Sequence, residues 1–345
     1  MEKKSILYAN LHKKRVFLRA DLNITGPHDE RLLALIPTLE FLTQRTKNVI
    51  ICTHRGRPDP LHPDPALSTQ PLVAWLQARG FACGFIDGDR PLTLLENIRF
   101  DPGEMGHSPA LAQRLASMAD YYVNDAFGTL HREDTSIALL PLQFAPQHRF
   151  YGLCVMREIE MLQRLRATPA KPYVAVLGGN KLEDKLPLIT RLLQAPEHAR
   201  VNHLLLGGAL AQPLLENKNH ELLRMAQRNG ITVALPTDGT GRDIGPQTIR
   251  TFTGIIATAR TIFANGTMGV YEEADNQAGT RAILTAIAHC KGFTILGGGD
   301  CAAAAALFGV RNKVSFVSTG GGATLAFLAA IDPYKELPGL RALCE

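Results

Sequence analysis

The chain has 345 residues, 46% of them hydrophobic and 20% charged, and a formal net charge of +5 at pH 7. That length exceeds what one hydrophobic core commonly sustains, so two domains of roughly 100–200 residues are expected, and the apolar content excludes a disordered chain. Lys and Arg are dispersed, with no run that would follow a nucleic-acid backbone, which favours a small anionic ligand over DNA or RNA.

Along the chain, short apolar and β-branched runs read as buried strands: Val16–Leu18, Val49–Cys52, Tyr121–Val123, Tyr173–Leu177, His203–Leu206, Thr261–Ala264, Thr294–Leu296 and Val314–Ser318. Helix-period segments lie between them, at Leu72–Arg79, Ala110–Ala119, Pro187–Leu193, Gly279–Ala288 and Ala323–Ala330. Strand and helix alternating in this way imply an α/β protein with doubly wound parallel sheets covered on both faces. In the segment MREIEMLQRLR, Met156, Ile159, Leu162 and Leu165 share one helical face, and Thr168-Pro169-Ala170-Lys171-Pro172 breaks the pattern, so the domain boundary is placed at this helix.

The six cysteines Cys52, Cys83, Cys154, Cys290, Cys301 and Cys344 are scattered without a C-x-x-C, which argues against a zinc site or a disulfide framework and suggests a reducing compartment. The opening MEKKSILYAN is charged, and no run approaches the roughly 18–20 apolar residues of a membrane span, so a cytoplasmic protein is expected.

Strands run into glycine at Gly178-Gly179, Gly207-Gly208, Gly297-Gly298-Gly299 and, after Ser318-Thr319, Gly320-Gly321-Gly322. At the carboxyl ends of parallel strands such turns admit ligands, and the following helix offers free N–H groups to an anion. All four fall in the second half, which makes that half the nucleotide candidate. Lys181 and Lys185 would share a face if their segment is helical, and Asp300 reads as a helix N-cap, a magnesium ligand, or both. In the first half Arg31, His54, Arg57, Arg99, His131 and Arg132 stand beside strand ends or turns. Each alone reads as an ordinary surface charge, but a converging set would hold phosphate and carboxylate together. Asp21 and Asn23, after the first strand, suit either a turn or a ligand hydroxyl.

The strings RVFLRADLN, ICTHRGRP, LLENIRFDPGE, YVNDAFGTLHR, VAVLGGNKLEDK, LLLGGAL, DIGPQTI, NGTMGVYE, ILGGGDCAAA and STGGGATLAFL, taken in order, resemble the signature segments of the phosphoglycerate kinases. The resemblance runs from about Arg15 to the C-terminal ELPGL. It implies a 3-phosphoglycerate-binding domain over 1–155, a linking helix and hinge over 156–170, a nucleotide-binding domain over 171–330, and a segment 331–345 returning to the first domain. It implies reversible phosphoryl transfer between 1,3-bisphosphoglycerate and ADP, giving 3-phosphoglycerate and ATP with Mg2+, by a cytoplasmic monomer acting in glycolysis. It assigns the acid to Asp21, Asn23, Arg31, His54, Arg57, Arg99, His131 and Arg132. The nucleotide is assigned to Gly178, Gly179, Lys181, Lys185, Gly207, Gly208, Asn265, Glu272, Gly297, Gly298, Gly299, Asp300, Cys301, Gly320, Gly321 and Gly322. Asp300 takes the metal, and Arg31 and Lys181 take the charge of the transferred group.

The chain departs from the family pattern in being shorter, chiefly between Gln212 and Asp243, and in carrying Arg242 and Thr267 where apolar groups are usual. Asn180, Glu183 and Cys301 replace small or hydroxyl residues, and Glu133 and Asp134 add negative charge after Arg132. Two other readings are a homologue that binds a ligand or partner without turnover and a nicotinamide-dependent oxidoreductase; the latter needs a G-x-G-x-x-G turn that the sequence lacks.

Overall fold

The computed structural model describes residues 4–24, 30–86, 90–217 and 220–345; the first three residues of the charged N-terminal string lie outside them. The chain divides into two units, one made of residues 1–159 and 332–345, the other of residues 160–331.

In the first unit the strands are β1 (Val16–Ala20), β2 (Val49–Cys52), β3 (Cys83–Phe85), β4 (Leu92–Leu94), β5 (Tyr121–Asp125) and β6 (Arg149–Tyr151). Among the described residues they form one parallel sheet of order β3-β4-β2-β1-β5-β6. Helices α1 (Glu30–Thr43), α2 (Pro71–Gln77) and α3 (Pro109–Ala116) connect the strands. Every residue of β1 and β2 is buried, as expected for strands covered on both faces, and Val16, Leu18, Ile51, Leu94 and Val123 belong to one apolar cluster. The next helix, α4 (Leu153–Arg166), carries the chain from the first unit to the second. Ile159, Leu162 and Leu165 are buried in it as expected. Met156 is only half-buried, and the buried stripe is wider than the sequence suggests, taking in Val155, Glu158 and Met161.

The second unit has strands β7 (Tyr173–Leu177), β8 (His203–Leu206), β9 (Thr232–Ala234), β10 (Thr261–Asn265), β11 (Phe293–Gly297) and β12 (Phe316–Ser318), again parallel, in the order β12-β11-β10-β7-β8-β9. Its helices are α5 (Leu186–Gln194), α6 (Gln212–Glu216), α7 (Glu221–Arg228), α8 (Pro246–Thr258), α9 (Ala278–His289), α10 (Gly299–Leu307) and α11 (Gly322–Ala329). The expected strand Val314–Ser318 is shorter because Arg311–Lys313 forms a 3-10 turn and Ser315 is spent on bonds with Thr294. Finally α12 (Pro333–Glu336) and α13 (Pro338–Cys344) pack on the first unit, where the Gly339 amide donates to Leu130 O at 3.0 Å and Arg149 Nη1 to Ala342 O at 2.9 Å.

Both sheets reverse their winding next to the first strand, between β1 and β5 in one unit and between β7 and β10 in the other. The carboxyl ends of the strands flanking such a reversal leave a crevice between the diverging connections, which is where ligands bind in open α/β sheets.

Candidate functional site

The first unit gathers its cationic groups at the carboxyl ends of neighbouring strands. After β1, Asn23 Oδ1 accepts the Gly56 amide at 2.7 Å, tying the β1 turn to the β2 turn. The Arg31 guanidinium, brought in by α1, donates to Asn23 O and stands 3.5 Å from Asp21. After β2, Leu22 N donates to Thr53 Oγ1 at 2.9 Å, His54 is buried and Arg57 is exposed. After β4, Asn97 accepts from the amides of Arg55 and Arg99 and donates to Arg55 O and Leu67 O, so one buried amide ties the turn after β4, which carries Arg99, to the turn after β2, which carries Arg55. Arg99 Nη1 donates to Gly56 O at 2.6 Å, while its buried Nε and Nη2 make no hydrogen bond. His131 and Arg132 come from the turn after β5.

Beneath this face lies Arg19, fully buried in β1, which the sequence reading passed over. Its Nε donates to Ser136 Oγ at 2.7 Å, its Nη1 to Ala20 O at 2.5 Å, and its Nη2 lies 3.4 Å from His54 Nδ1, with Glu104 at 3.9 Å. Burial, then Arg19, Arg132 and Arg31, hold the His54 pKa well below its ordinary value. His54 is therefore neutral at physiological pH, and Arg19 as donor to Nδ1 leaves the ring proton on Nε2. Burial also lowers the His131 pKa. A lone Arg inside the apolar run VFLRA was the signal available for Arg19.

In the second unit the glycine turns border a cleft of about 440 Å³, whose lining includes Gly179, Gly208, Arg242, Thr267, Glu272 and Asp300. A smaller hollow of about 250 Å³ shares Gly208, Ala209 and Gly241 with it. Of the residues expected from the sequence, Gly179, Gly208, Glu272 and Asp300 line the cleft, as do Arg242 and Thr267, the departures from the family pattern on the nucleotide side; Ala209, Val270 and Tyr271 line it too, although the sequence reading gave none of these three to the ligand. Gly178, Gly207, Asn265 and Gly297 stand at the same strand ends, and Gly320, Gly321 and Gly322 follow β12, without lining it. A Cβ on Gly178 would fall 2.1 Å from Thr267 O, so the β7 turn closes against the β10 turn only with glycine. Gly298 has φ +92° and caps α10, with Gly299 as the first helical residue.

At three positions the structure differs from what the sequence suggests. Lys181 and Lys185 do not share a helical face: Lys181 precedes a 3-10 turn and is exposed, whereas Lys185 is buried. Lys185 Nζ donates to Asn265 O at 2.9 Å and to Gly178 O, and burial pushes its pKa down to about 8 against the raising influence of Cys301, Asp300 and Asp184. Asp300 is not the N-cap, since Gly298 takes that place; it lies in the first turn of α10, exposed on the cleft. The Cys301 side chain faces the apolar core, where burial raises its thiol to about 12, so any contact with a nucleotide is left to its backbone.

The profile of the family described as phosphoglycerate kinase matches residues 6–235 and 223–330. The phosphoglycerate kinase of Salinispora arenicola is 36% identical in an alignment of 396 residues covering 96% of each chain. The chain belongs to the phosphoglycerate kinase family. The phosphoglycerate kinase of Streptomyces coelicolor is 34% identical over 96% of each chain. Among solved structures, phosphoglycerate kinase from Coxiella burnetii superposes with a TM-score of 0.82 at 30% identity, covering 98% of this chain and 97% of its own. That from Pyrococcus horikoshii gives 0.81 at 26% identity, covering 98% of both. Against these phosphoglycerate kinases the chain is short, since its 345 residues span alignments of about 396 positions.

Proposed function

We propose that this chain is a working phosphotransferase of its family, moving a phosphoryl group reversibly between 1,3-bisphosphoglycerate and ADP to give 3-phosphoglycerate and ATP, with the carboxyl group of the acid as acceptor. The observation that carries the reading is 36% identity across 96% of the chain to a phosphoglycerate kinase, with the cationic strand ends and the glycine-lined cleft both retained. The turnover-free alternative has no observation in its favour.

In this reading the first unit holds the acid. Arg57, Arg99 and Arg132 supply forked donors to its phosphate and carboxylate, Asp21 and Asn23 suit its hydroxyl, and neutral His54 and His131 add contacts without further charge. The second unit holds the nucleotide, with Lys185 and the backbone at Gly179 and Gly208 toward the phosphates and Glu272 at the cleft wall. Arg31 and Lys181 are assigned to the equatorial oxygens of the transferring group, where charge spreads as the bond to the leaving oxygen lengthens. The residues present fit a magnesium nucleotide. Asp300, exposed on the cleft, would offer one carboxylate to Mg2+, an ion that commonly takes its other ligands from water and phosphate oxygens. When bound, that ion neutralises phosphate charge. A monomer in the cytoplasm remains the working expectation.

A coupled assay with 3-phosphoglycerate and ATP, run with GTP in parallel, tests this. Turnover of 3-phosphoglycerate is the expected result, and binding of both ligands without turnover would leave a non-catalytic homologue. Because Arg242 is drawn to Glu273 at the cleft rim and Thr267 stands in its wall, base recognition is expected to be slack, with similar KM values for ATP and GTP.

A further inference from the structure

Asp134 stands out on the acid-binding face. Its side chain is nearly buried at 11% exposure, and Oδ2 makes no hydrogen bond. That oxygen lies 3.6 Å from Arg99 Nη2 and 3.7 Å from Arg132 Nη1, close enough to offset both charges and too far to spend their N–H donors. The carboxylate builds nothing locally: Asp134 precedes a short helical turn at Thr135–Leu139 that its side chain does not cap. Burying an unbonded carboxylate oxygen costs a fold stability, so its presence between two arginines calls for a reason. The neighbouring Glu133 points elsewhere, exposed and paired with His107 at 3.5 Å and Arg341 at 3.6 Å.

Building on the reading that this face binds the acid, we propose that Asp134 is an internal anion that competes with the substrate's anionic group for Arg99 and Arg132 and so sets how strongly any anion must be held to occupy this subsite. Two arginines with unspent donors form a phosphate or carboxylate subsite. A fixed negative charge within 4 Å of both repels the ligand that the donors attract, so the subsite accepts an anion only against that repulsion. It therefore sets a high threshold: a ligand that reaches the remaining cationic groups as well is admitted, whereas a small lone anion is turned away.

The test is calorimetric titration of the full chain with 3-phosphoglycerate and, separately, with inorganic phosphate, at one ionic strength, for wild type, Asp134→Asn and Glu133→Gln. Thermal melting of each confirms the fold, and Asp134→Ser serves if the asparagine variant does not fold. Asp134→Asn is expected to tighten both ligands on the order of tenfold, the scale of one close charge contact. Glu133→Gln, removing the same charge one residue away, should change either by less than about twofold, as for an exposed and screened pair. Unchanged or weakened binding in Asp134→Asn overturns the inference, as does equal tightening in both variants, which would mean a general charge effect. A wild type that binds phosphate but not 3-phosphoglycerate would sink the acid-binding assignment instead, and the phosphate arm would still decide the role of Asp134.

Discussion

Lys181 and Lys185, four residues apart, have opposite surroundings, and their variants should differ accordingly. Exposed Lys181 is proposed to meet charge that develops only during transfer, so Lys181→Ala should lower kcat by about 2.7–4 kcal/mol in barrier terms, roughly a hundredfold to a thousandfold, with less change in nucleotide KM. A near-normal kcat would remove it from the mechanism. Buried Lys185 is a question of pH. Its pKa is about 8 in the fold against 10.5 in the ordinary state, so the folded chain resists the charged form. Stability therefore carries that penalty, on the order of 3 kcal/mol, in full below pH 8 and recovers it as pH rises from about 8 to 10.5. Phosphate affinity runs the other way, falling as the ammonium is lost above about pH 8. Nucleotide titrations at pH 7 and 9 should show that fall in wild type and not in Lys185→Met, and a pH-independent wild type would place Lys185 away from the phosphates. The strings around both lysines were legible in the sequence. Their divergence was not, because it depends on the ammonium meeting the carbonyl of Gly178, just after β7, and that of Asn265 at the end of β10. Arg19 shows the same limit, since its partner Ser136 is 117 residues away in sequence and no local period announces the pair.

Among elements, the strands of four or five residues at the sheet centres were legible within a residue or two, because both faces are buried and the apolar run is continuous. The strands β3, β4, β6 and β9 were not: each is three residues long, too short to show a period, and β3 and β9 are also partly exposed at sheet edges, whereas β6 is an edge strand buried throughout. Helix α1 was not among the expected helices; Pro37 lies inside it, where proline cannot donate a backbone hydrogen bond. The terminal helix α13 has a measurable consequence. Leu340 and Leu343 are fully buried there, and a Cβ on Gly339 would fall 2.7 Å from Leu130 Cδ2, so this short helix is seated closely. Leu340→Ala should cost about 2–5 kcal/mol, the usual range for a buried leucine truncation. Trp75, the single tryptophan, packs against the core of the same unit, so urea unfolding followed by its fluorescence should show the midpoint move. An unmoved midpoint would mean that α13 is detached in solution.

At the scale of the molecule, the chain passes between units twice, near Ile159 and again near Ile331. The second unit is one continuous stretch, whereas the first is completed by Asp332–Glu345. Bringing those ends together across a long insertion adds little closure entropy, since that cost grows only logarithmically with length. Its effect is on timing. Synthesis runs at about 5–20 residues per second, and domains fold as they emerge. On a ribosome the first unit to leave the tunnel is the last that can be finished, because α13 is still inside when every strand of both sheets has been made. Nascent chains arrested with Ile331 outside the tunnel should resist protease across 160–331 yet be cut within 1–159, and extension past Glu345 should abolish those cuts. Equal protection of both stretches before Asp332 emerges would show that the first unit closes without its last helix. If the cuts do appear, Asp332–Glu345 acts as a quality mark: a chain that lacks this segment has a sound second unit and a first unit that signals the defect.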